Sequence, residues 1–399
     1  LDTSDPLQFR RWLAAPERPF LPAGSATPSG DIFAPRHIFG QYVTHQMQPF
    51  LDTGRIVHMR TRAIAARREG TRYRISVDTG EDVLADRMVL AISHPAPAVP
   101  RGLRALVANP VLIAEPYRSD ALAQIAIDER VLIVGTGLTG ADIVATLQEQ
   151  QHRGKIHLLS RHGRFSQPHG LQQAETRADF ATNPERSALG LLRRVRRAVA
   201  EDAVNGLSWH AVFDRLRTQG PQIWAALPQS QRHRLLRHLR GLWDIHRFRI
   251  APQTHATLHH AIATHRVDRI SSAITGAKVC PDGVAISLMS PRAGDQRLIV
   301  DRVVLATGPA HGAAFEITPV LAALEADGAI TRDPLGLGIH VTAEGQAIDA
   351  SGRAQASLLV AGPMARGAVG ELMGLPEVTA WAEATARNLA TTLCAAQSV

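Results

Sequence analysis

The stretch RVLIVGTGLTGADIVATL, residues 130–147, decides the fold of this chain. It predicts a buried strand, a tight glycine turn and an amphipathic helix, and KIHLLS at 155–160 predicts a second strand at the distance of a β-α-β unit. Gly135 permits the tight turn, Gly137 lets the backbone approach a diphosphate, and Gly140 lets the helix pack closely on the strand.

A diphosphate in this turn would sit at the helix N-terminus, where free N–H groups and the helix dipole favour negative charge. The sequence therefore predicts a nucleotide site, the alternative being an ordinary strand-turn-helix connection rich in glycine. The predicted cofactor-binding residues of the turn are Gly135, Thr136, Gly137, Leu138, Thr139 and Gly140.

The residues after the second strand indicate which nucleotide is bound. NAD and FAD sites usually place Asp or Glu there to accept from the ribose hydroxyls, but no acidic residue occurs between Glu149 and Glu175. The chain has Ser160, Arg161 and His162 instead. A guanidinium pairs well with a 2′-phosphate, which an acid would repel, and a hydroxyl can donate to it. These residues predict NADP(H), unless Arg161 is simply a solvent-facing loop residue.

Composition narrows the class of protein. The chain has 399 residues, of which 45% are hydrophobic, and this length suggests two or three domain-sized units. Its two cysteines, Cys280 and Cys394, form no C-x-x-C motif. Neither a disulfide framework nor a dithiol redox centre is therefore predicted, and a reducing, cytoplasmic setting is expected. The sequence contains no run of 18 apolar residues, so no membrane span is expected.

Positive charge is concentrated in one part of the chain. The formal net charge is +8, and residues 153–249 contain 18 lysines and arginines against seven acidic residues. Such a segment suits anionic ligands or nucleic acid, although a solvated arginine-rich helix surface explains it equally well. No RNP, helix-turn-helix or zinc-finger pattern accompanies the charge in 186–249, so a nucleic-acid partner is not expected.

Apolar periodicity outlines the remaining elements. It predicts helices at 7–14 and 37–51, strands between 55 and 92, a mostly helical segment at 164–265, strands between 270 and 306, a short helix at 317–327, a strand at 358–361 and a final helix at 378–393.

Three stretches outside the glycine turn resemble flavoproteins with two dinucleotide-binding domains. RVVLATGP at 302–309 resembles the strand where such chains pass from the NADP domain back to the FAD domain, and MVLAISHPAP at 88–97 resembles its partner at the opposite crossover. LLVAGPMARG at 358–367 resembles their last FAD-contacting strand, with Pro363 where many members have an acid. The resemblance implies cofactor contacts by Arg36, Thr307, Gly308, Gly362 and Pro363.

More narrowly, the chain resembles the bacterial FAD-NAD(P)-binding family, which includes an FAD-dependent urate hydroxylase and is related to N-hydroxylating flavin monooxygenases. The matching stretches are FRRWLA (9–14), PRHIFGQYV (35–43), GTGLTG (135–140), LSRHG and PHG (159–170), WDIHRFRIAP (243–252) and ATGP (306–309).

The resemblance implies an α/β fold with two Rossmann-like domains. The FAD domain would be discontinuous, at 1–100 and 300–399, and the NADP domain would occupy 101–299 and carry the arginine-rich helical segment at 164–265. Family members begin with another strand and GxGxxG turn that hold the FAD diphosphate. Because no such segment precedes FRRWLA, we expect the sequence to lack the first β-α-β of the FAD domain.

The implied function is an NADPH-dependent, FAD-containing oxidoreductase, a monooxygenase that hydroxylates a small substrate with reduced flavin and O₂. The alternative is a non-catalytic NADP-binding protein that has lost its flavin site. The lack of a C-x-x-C motif argues against a disulfide reductase of similar architecture. The sequence identifies no catalytic side chain, because the difficult chemistry would belong to the cofactor.

Four further residues are candidates for the substrate site, namely His169, Trp243, His246 and Arg247. A structural network around the turn before Pro252 is an equally good interpretation of the cluster at 243–247. His255 and His259 are spaced for one helical face but have no convincing third ligand, so no metal site is predicted.

Overall fold

The computed structural model describes residues 2–16, 20–22, 24–118, 120–290 and 294–397, without the side chains of residues 311 and 394–397. The thiol predicted unpaired at Cys280 is free, and the side chain of Cys394 lies outside the described part. No helix in the described ranges is long and apolar enough to cross a membrane.

The helices, in chain order, are α1 (Gln8–Leu13), α2 (Arg36–Asp52), α3 (Leu138–Glu149), α4 (Ala188–Val204), α5 (Trp209–Thr218), α6 (Gly220–Ala226), α7 (Gln229–His238), α8 (Arg240–Arg247), α9 (Pro252–Ala263), α10 (Ala314–Ile317), α11 (Pro319–Ala326), α12 (Arg366–Val369) and α13 (Leu375–Gln397).

The strands are β1 (Ala63–Glu69), β2 (Arg72–Val77), β3 (Val83–Ala85), β4 (Met88–Leu90), β5 (Leu112–Ile113), β6 (Val131–Val134), β7 (Ile156–Ser160), β8 (Val267–Ser271), β9 (Ala273–Cys280), β10 (Gly283–Ser290), β11 (Gly294–Val300), β12 (Arg302–Leu305), β13 (Gln346–Ile348) and β14 (Ala354–Val360).

The middle of the chain forms a parallel sheet of order β5-β12-β6-β7-β8. Strand β6 is buried on both faces, as expected of a central parallel strand. Its alternate residues Val131 and Ile133 pack under α3 and α9, whereas Leu132 and Val134 pack against the antiparallel sheet β9-β10-β11. The predicted β-α-β unit around the glycine turn is therefore the centre of a three-layer body.

The first and last parts of the chain share a second core. Strand β4 pairs in parallel with β14, although more than 260 residues separate them in sequence. Tyr73 and Leu90 from the first part pack in one cluster with Phe315, Val360 and Trp381 from the last. The fold predicted from the sequence, α/β with one unit assembled from both ends of the chain, is confirmed.

Helices α4–α8 form a small helical layer with its own apolar cluster, which includes Phe180, Val212 and Ile223. This layer contacts the last part of the chain through several side chains. The indole N–H of Trp224 donates to the carbonyl of Gly367 (2.9 Å), and Arg217 binds Glu377. The helical layer is thus attached to the turn that follows β14.

Three predicted boundaries differ from the structure. The strand expected from residue 55 begins at Ala63, because its partner β2 ends at Val77, opposite Ala63. The helical segment expected from 164 begins only at Ala188; the intervening residues, which include two prolines, are irregular. Strand β12, assigned to the segment 300–399, pairs with β6 and so extends the middle unit to about residue 305.

Candidate functional site

The glycine turn is built by close backbone approaches. Gly135 has φ +124°, and a Cβ placed there would lie 2.1 Å from the carbonyl oxygen of Ala306 at the end of β12. A Cβ on Gly140 would lie 2.3 Å from the carbonyl oxygen of Gly135 and 3.2 Å from the Leu158 side chain. Only glycine fits at these two positions, which fixes the start of α3 against the ends of β6 and β12.

The space in front of α3 is open. A Cβ on Gly137, the residue before α3, would meet only the hydroxyl of Ser166, at 4.0 Å. The first turn of α3 contains no acidic residue, and its N–H groups have no partner within the helix. A free helix N-terminus behind an open glycine is the geometry that fits the diphosphate of a dinucleotide.

The side chains of this turn contact other residues of the chain, so the backbone N–H groups are the part of the turn that can bind a ligand. The hydroxyl of buried Thr136 donates to the carbonyl of Arg164 and lies 2.9 Å from the hydroxyl of Ser160. Tyr117 donates to the hydroxyl of Thr139 (2.9 Å), and Leu138 packs against the core under α3.

Arg161 and His162 follow β7 and are exposed. Within the described part of the chain, the guanidinium of Arg161 has no hydrogen-bond or ion-pair partner. The backbone carbonyl of Arg161 accepts from Ser271 (3.4 Å), which ties this loop to the end of β8. A solvent-facing guanidinium beside the Ser160 hydroxyl has the chemistry to bind a 2′-phosphate, and the assignment of these residues to NADP stays a prediction.

Arg36, assigned by resemblance to the flavin, is the first residue of α2. Its Nη2 lies 3.1 Å from Oδ2 of Asp142 on α3, and its guanidinium lies 5.3 Å from the ring centre of Tyr117. Burial raises the pKa of Asp142, and Arg36 opposes that effect. Arg36 thus lies on the outer side of α3, near the glycine turn, and joins the first part of the chain to the middle unit.

The two crossovers run side by side. The Thr307 hydroxyl donates to the carbonyl of Ala98 (3.2 Å), the Ala310 N–H donates to the carbonyl of Ala96 (3.3 Å), and Pro97 pairs with Pro309. Between them, Gly308 has φ +76° with open space around it.

In the sheet shared by the two ends of the chain, Gly362 (φ +100°) and Pro363 follow β14 after Ala361. The carboxyl ends of β4 and β14 therefore form an edge of the kind at which α/β sheets bind ligands. In the described ranges, no second strand is followed by a GxGxxG turn and a helix. The residues assigned to the flavin by resemblance include Gly362 and Pro363 at this edge.

A cavity of about 490 Å³ lies between the helical layer and residues 366–371. Its wall is mainly apolar and includes Phe213, Ile223 and the indoles of Trp209, Trp224 and Trp243. This volume is typical of small-molecule sites, which are largely apolar with a few polar groups.

Two of the four predicted substrate residues line this cavity. The Trp243 indole N–H donates to Oε2 of Glu371 (3.3 Å), and the His246 ring stacks on Phe213 (4.6 Å between centroids). Arg247, the next residue on α8, projects elsewhere because successive helical residues are about 100° apart; its Nη2 lies 3.1 Å from Glu377. His169 does not line the cavity and packs on Phe33 (4.8 Å).

Four polar residues of the cavity were missed from the sequence, namely Arg196, Arg240, Arg366 and Glu371. Arg366 is 2% exposed and lies at the start of α12, four residues beyond Gly362. No short sequence pattern marks a buried arginine, and the only available signal was its place in the stretch at 358–367. In the described part of the chain no cluster of metal ligands occurs.

Comparison with known proteins agrees with this geometry. A family model described as FAD-NAD(P)-binding matches residues 1–95. L-lysine 6-monooxygenase from Pseudomonas syringae is 18% identical, with a TM-score of 0.58 over 88% of this chain and 81% of that one. Ornithine hydroxylase from Pseudomonas aeruginosa is 15% identical, with a TM-score of 0.59 over 90% and 77% of the two chains.

A third structure is the ornithine N-hydroxylase of Kutzneria sp. 744 with reduced FAD, NADP⁺ and L-ornithine, 14% identical, with a TM-score of 0.56 over 91% of this chain and 78% of that one. No curated protein matches the sequence. At these identities the likeness concerns the fold. Residues 1–95 thus match the FAD-NAD(P)-binding model, and the chain shares its overall fold with the lysine and ornithine monooxygenases.

Proposed function

We propose that this chain is an NADPH-dependent, FAD-containing oxidoreductase of the monooxygenase type that hydroxylates a small molecule. The observation that carries the proposal is the open glycine turn at the N-terminus of α3, set against the end of crossover strand β12. The match of residues 1–95 to an FAD-NAD(P)-binding family and the shared fold of flavin monooxygenases support it. A reducing, cytoplasmic setting belongs to the same proposal.

The residues assigned to NADPH have distinct tasks. The N–H groups at the start of α3 bind the diphosphate, and Gly137 leaves room for it. The hydroxyl of Ser160 and the guanidinium of Arg161 bind the 2′-phosphate, so they select NADPH over NADH. Thr136 positions Ser160 through their 2.9 Å hydrogen bond.

When bound, the cofactors supply the redox chemistry: NADPH and a proton reduce the flavin, one oxygen atom of O₂ enters the substrate as hydroxyl, and the other leaves as water. The protein orients the reactants and excludes water. Thr307, Gly308, Gly362 and Pro363 border the crossovers where the two units meet, and the apolar cavity beside residues 366–371 supplies a dry chamber for the substrate.

The test is the visible absorbance spectrum of the purified chain, recorded with added FAD and then with NADPH under anaerobic conditions. We expect an oxidised-flavin band that NADPH bleaches and air restores. If NADPH binds by fluorescence but no flavin is retained or reduced, the chain is the non-catalytic NADP-binding protein that the sequence left open, and the proposal is wrong.

A further inference from the structure

The cavity under the helical layer has an apolar wall and one polar end. Three of the five tryptophans of the chain line it, together with leucine and valine side chains from α4, α5 and α7. The polar end is formed by Arg240, Arg366 and Glu371. An apolar chamber of this size suits a ligand that is largely hydrocarbon or aromatic, with its polar group at one end.

Arg366 is the most deeply buried charged side chain at this end, at 2% exposure. Its Nε donates to the carbonyl of Gly370 (3.2 Å), and its Nη1 contacts the sulfur of Met373 (3.1 Å). Within the described ranges, its Nη2 makes no hydrogen bond, and no carboxylate lies within the 4.0 Å of an ion pair. A buried cation without an anion is costly, so the site is incomplete without one.

The neighbouring acids do not complete it. Glu371 accepts from Trp243 through Oε2 (3.3 Å) and from the N–H of Met373 through Oε1 (3.2 Å), so both its oxygens are engaged. Asp244 is paired with Arg240 at 3.5 Å, and burial raises the pKa of its carboxyl. Among the described residues, one acid oxygen, Oδ1 of Asp244, is also buried without a partner, but Asp244 does not line the cavity. In the cavity wall the unused hydrogen-bonding capacity is that of the Arg366 guanidinium, a donor, which favours an anionic group on the ligand.

The cavity is fixed to the turn that follows β14. The Trp224 indole donates to the carbonyl of Gly367, and its ring lies so close to Gly370 that a Cβ there would be 2.6 Å away. Arg366 directly precedes Gly367, at the start of α12. The cationic end of the chamber is thus beside the edge formed by the carboxyl ends of β4 and β14, where the proposed flavin contacts lie.

We propose that this cavity binds the substrate, and that the substrate is an apolar molecule carrying one carboxylate that pairs with Arg366. This inference rests on the proposed function and specifies its substrate class. It departs from the enzymes of similar fold whose names specify lysine and ornithine, since this wall offers few partners to a second charged group.

The test measures ligand binding without any redox reaction, through the fluorescence of the tryptophans in the cavity wall. The purified chain is titrated with decanoate, decanol and decylamine, which share one hydrocarbon length and differ in the polar end. We expect decanoate to bind at least about tenfold more tightly than the other two, because only its carboxylate forms an ion pair with the Arg366 guanidinium. Equal affinities, tighter binding of decylamine, or no binding of decanoate overturns the inference.

Variants locate the site. Arg366→Met should reduce decanoate affinity to that of decanol, whereas Arg197→Met, on the exposed face of α4, should not change it. Because loss of a buried charge can perturb folding, Val199→Phe provides a second probe. It fills the cavity from α4 and should weaken decanoate and decanol alike, while Leu189→Phe, 55% exposed on the same helix, should leave both unchanged. Decanoate binding that survives both cavity variants also overturns the inference.

The two proposals fail separately. If NADPH reduces the flavin but the chain does not bind decanoate, only the substrate inference is wrong. Decanoate binding in a chain that shows no flavin reduction removes only the redox function.

Discussion

The glycine turn at 135–140 and the cavity under the helical layer are built in opposite ways. The turn presents backbone N–H groups, and its few side chains are engaged with one another, as Thr136 is with Ser160. The cavity is lined by side chains from five helices and by residues from the last part of the chain, Arg366 among them. A site formed by backbone groups can be predicted from a short local sequence, whereas a site formed by side chains depends on contacts between distant segments.

Gly135→Ala should have the largest effect, because it breaks the turn itself. The new Cβ would lie 2.1 Å from the Ala306 carbonyl at a φ of +124°, which we expect to cost about 3 kcal/mol or more of unfolding free energy and to abolish NADPH binding. Gly54→Ala is the matched control: its φ is +68° with nothing within 4 Å, so a cost of about 1 kcal/mol is expected. Denaturant unfolding of both variants measures the difference; equal losses would contradict the close approach.

Gly137→Val should separate binding from stability. The backbone there is extended, and the added Cβ meets only Ser166 at 4.0 Å, so the fold should tolerate valine. Its side chain occupies the space assigned to the diphosphate, and we expect NADPH affinity to fall roughly 100-fold, the loss of about two charge-assisted hydrogen bonds. Titration by NADPH fluorescence measures this. Normal binding would show that the diphosphate lies elsewhere.

Arg161→Ala should change selectivity more than stability. The exposed guanidinium is assigned only to the 2′-phosphate, so the preference for NADPH over NADH should fall about 10- to 100-fold while NADH affinity stays constant. Arg153→Ala, also exposed but before the opposite end of β7, should preserve the preference. The measurement is the ratio of the two dissociation constants, and an unchanged ratio in Arg161→Ala would remove the 2′-phosphate assignment.

Glu377→Gln should have the smallest effect on the two ligand sites and a modest effect on stability. Glu377 binds both Arg217 and Arg247, so we expect a loss of about 1–3 kcal/mol at neutral pH. Burial alone would raise the pKa of Glu377, but the two arginines hold it below its ordinary 4.5.

The pH dependence of that loss follows from the direction of the shift. The stabilisation by Glu377 is complete above about pH 4.5 and is lost as the pH falls through the lower folded-state pKa. Unfolding measured from pH 7 to pH 3 should therefore show the two proteins converging in acid. A constant difference would contradict the ion-pair role.

The same contrast explains how much the sequence could predict. The unit around Gly135 was predictable because its strand, turn and helix are contiguous, and the pairing of the chain ends followed from resemblance at 88–97 and 302–309. The start of β1 at Ala63 was not, because alternating residues continue upstream where no partner strand exists. Likewise, the segment from 164 was expected to be mostly helical with loops around Pro168 and Pro184, but the irregular part is continuous up to Ala188.

The cavity was only partly predictable. Trp243, His246 and Arg247 were one cluster in sequence, but the helix turns Arg247 towards Glu377 and leaves the other two in the wall. Arg366 and Glu371 reach the same chamber from more than a hundred residues away, through the docking of Trp224 on Gly367. The proximity of these residues depends on tertiary packing, which a local sequence pattern does not predict.

The close approach of Gly135 to Ala306 has a mechanical consequence. Ala306 directly precedes Thr307, whose hydroxyl is bonded to Ala98 in the opposite crossover. The glycine turn proposed to bind the nucleotide and the crossover between the two units are therefore connected by a backbone segment only a few residues long. A backbone shift at the glycine turn is therefore transmitted directly to the crossover, without passing across the strands of the sheet.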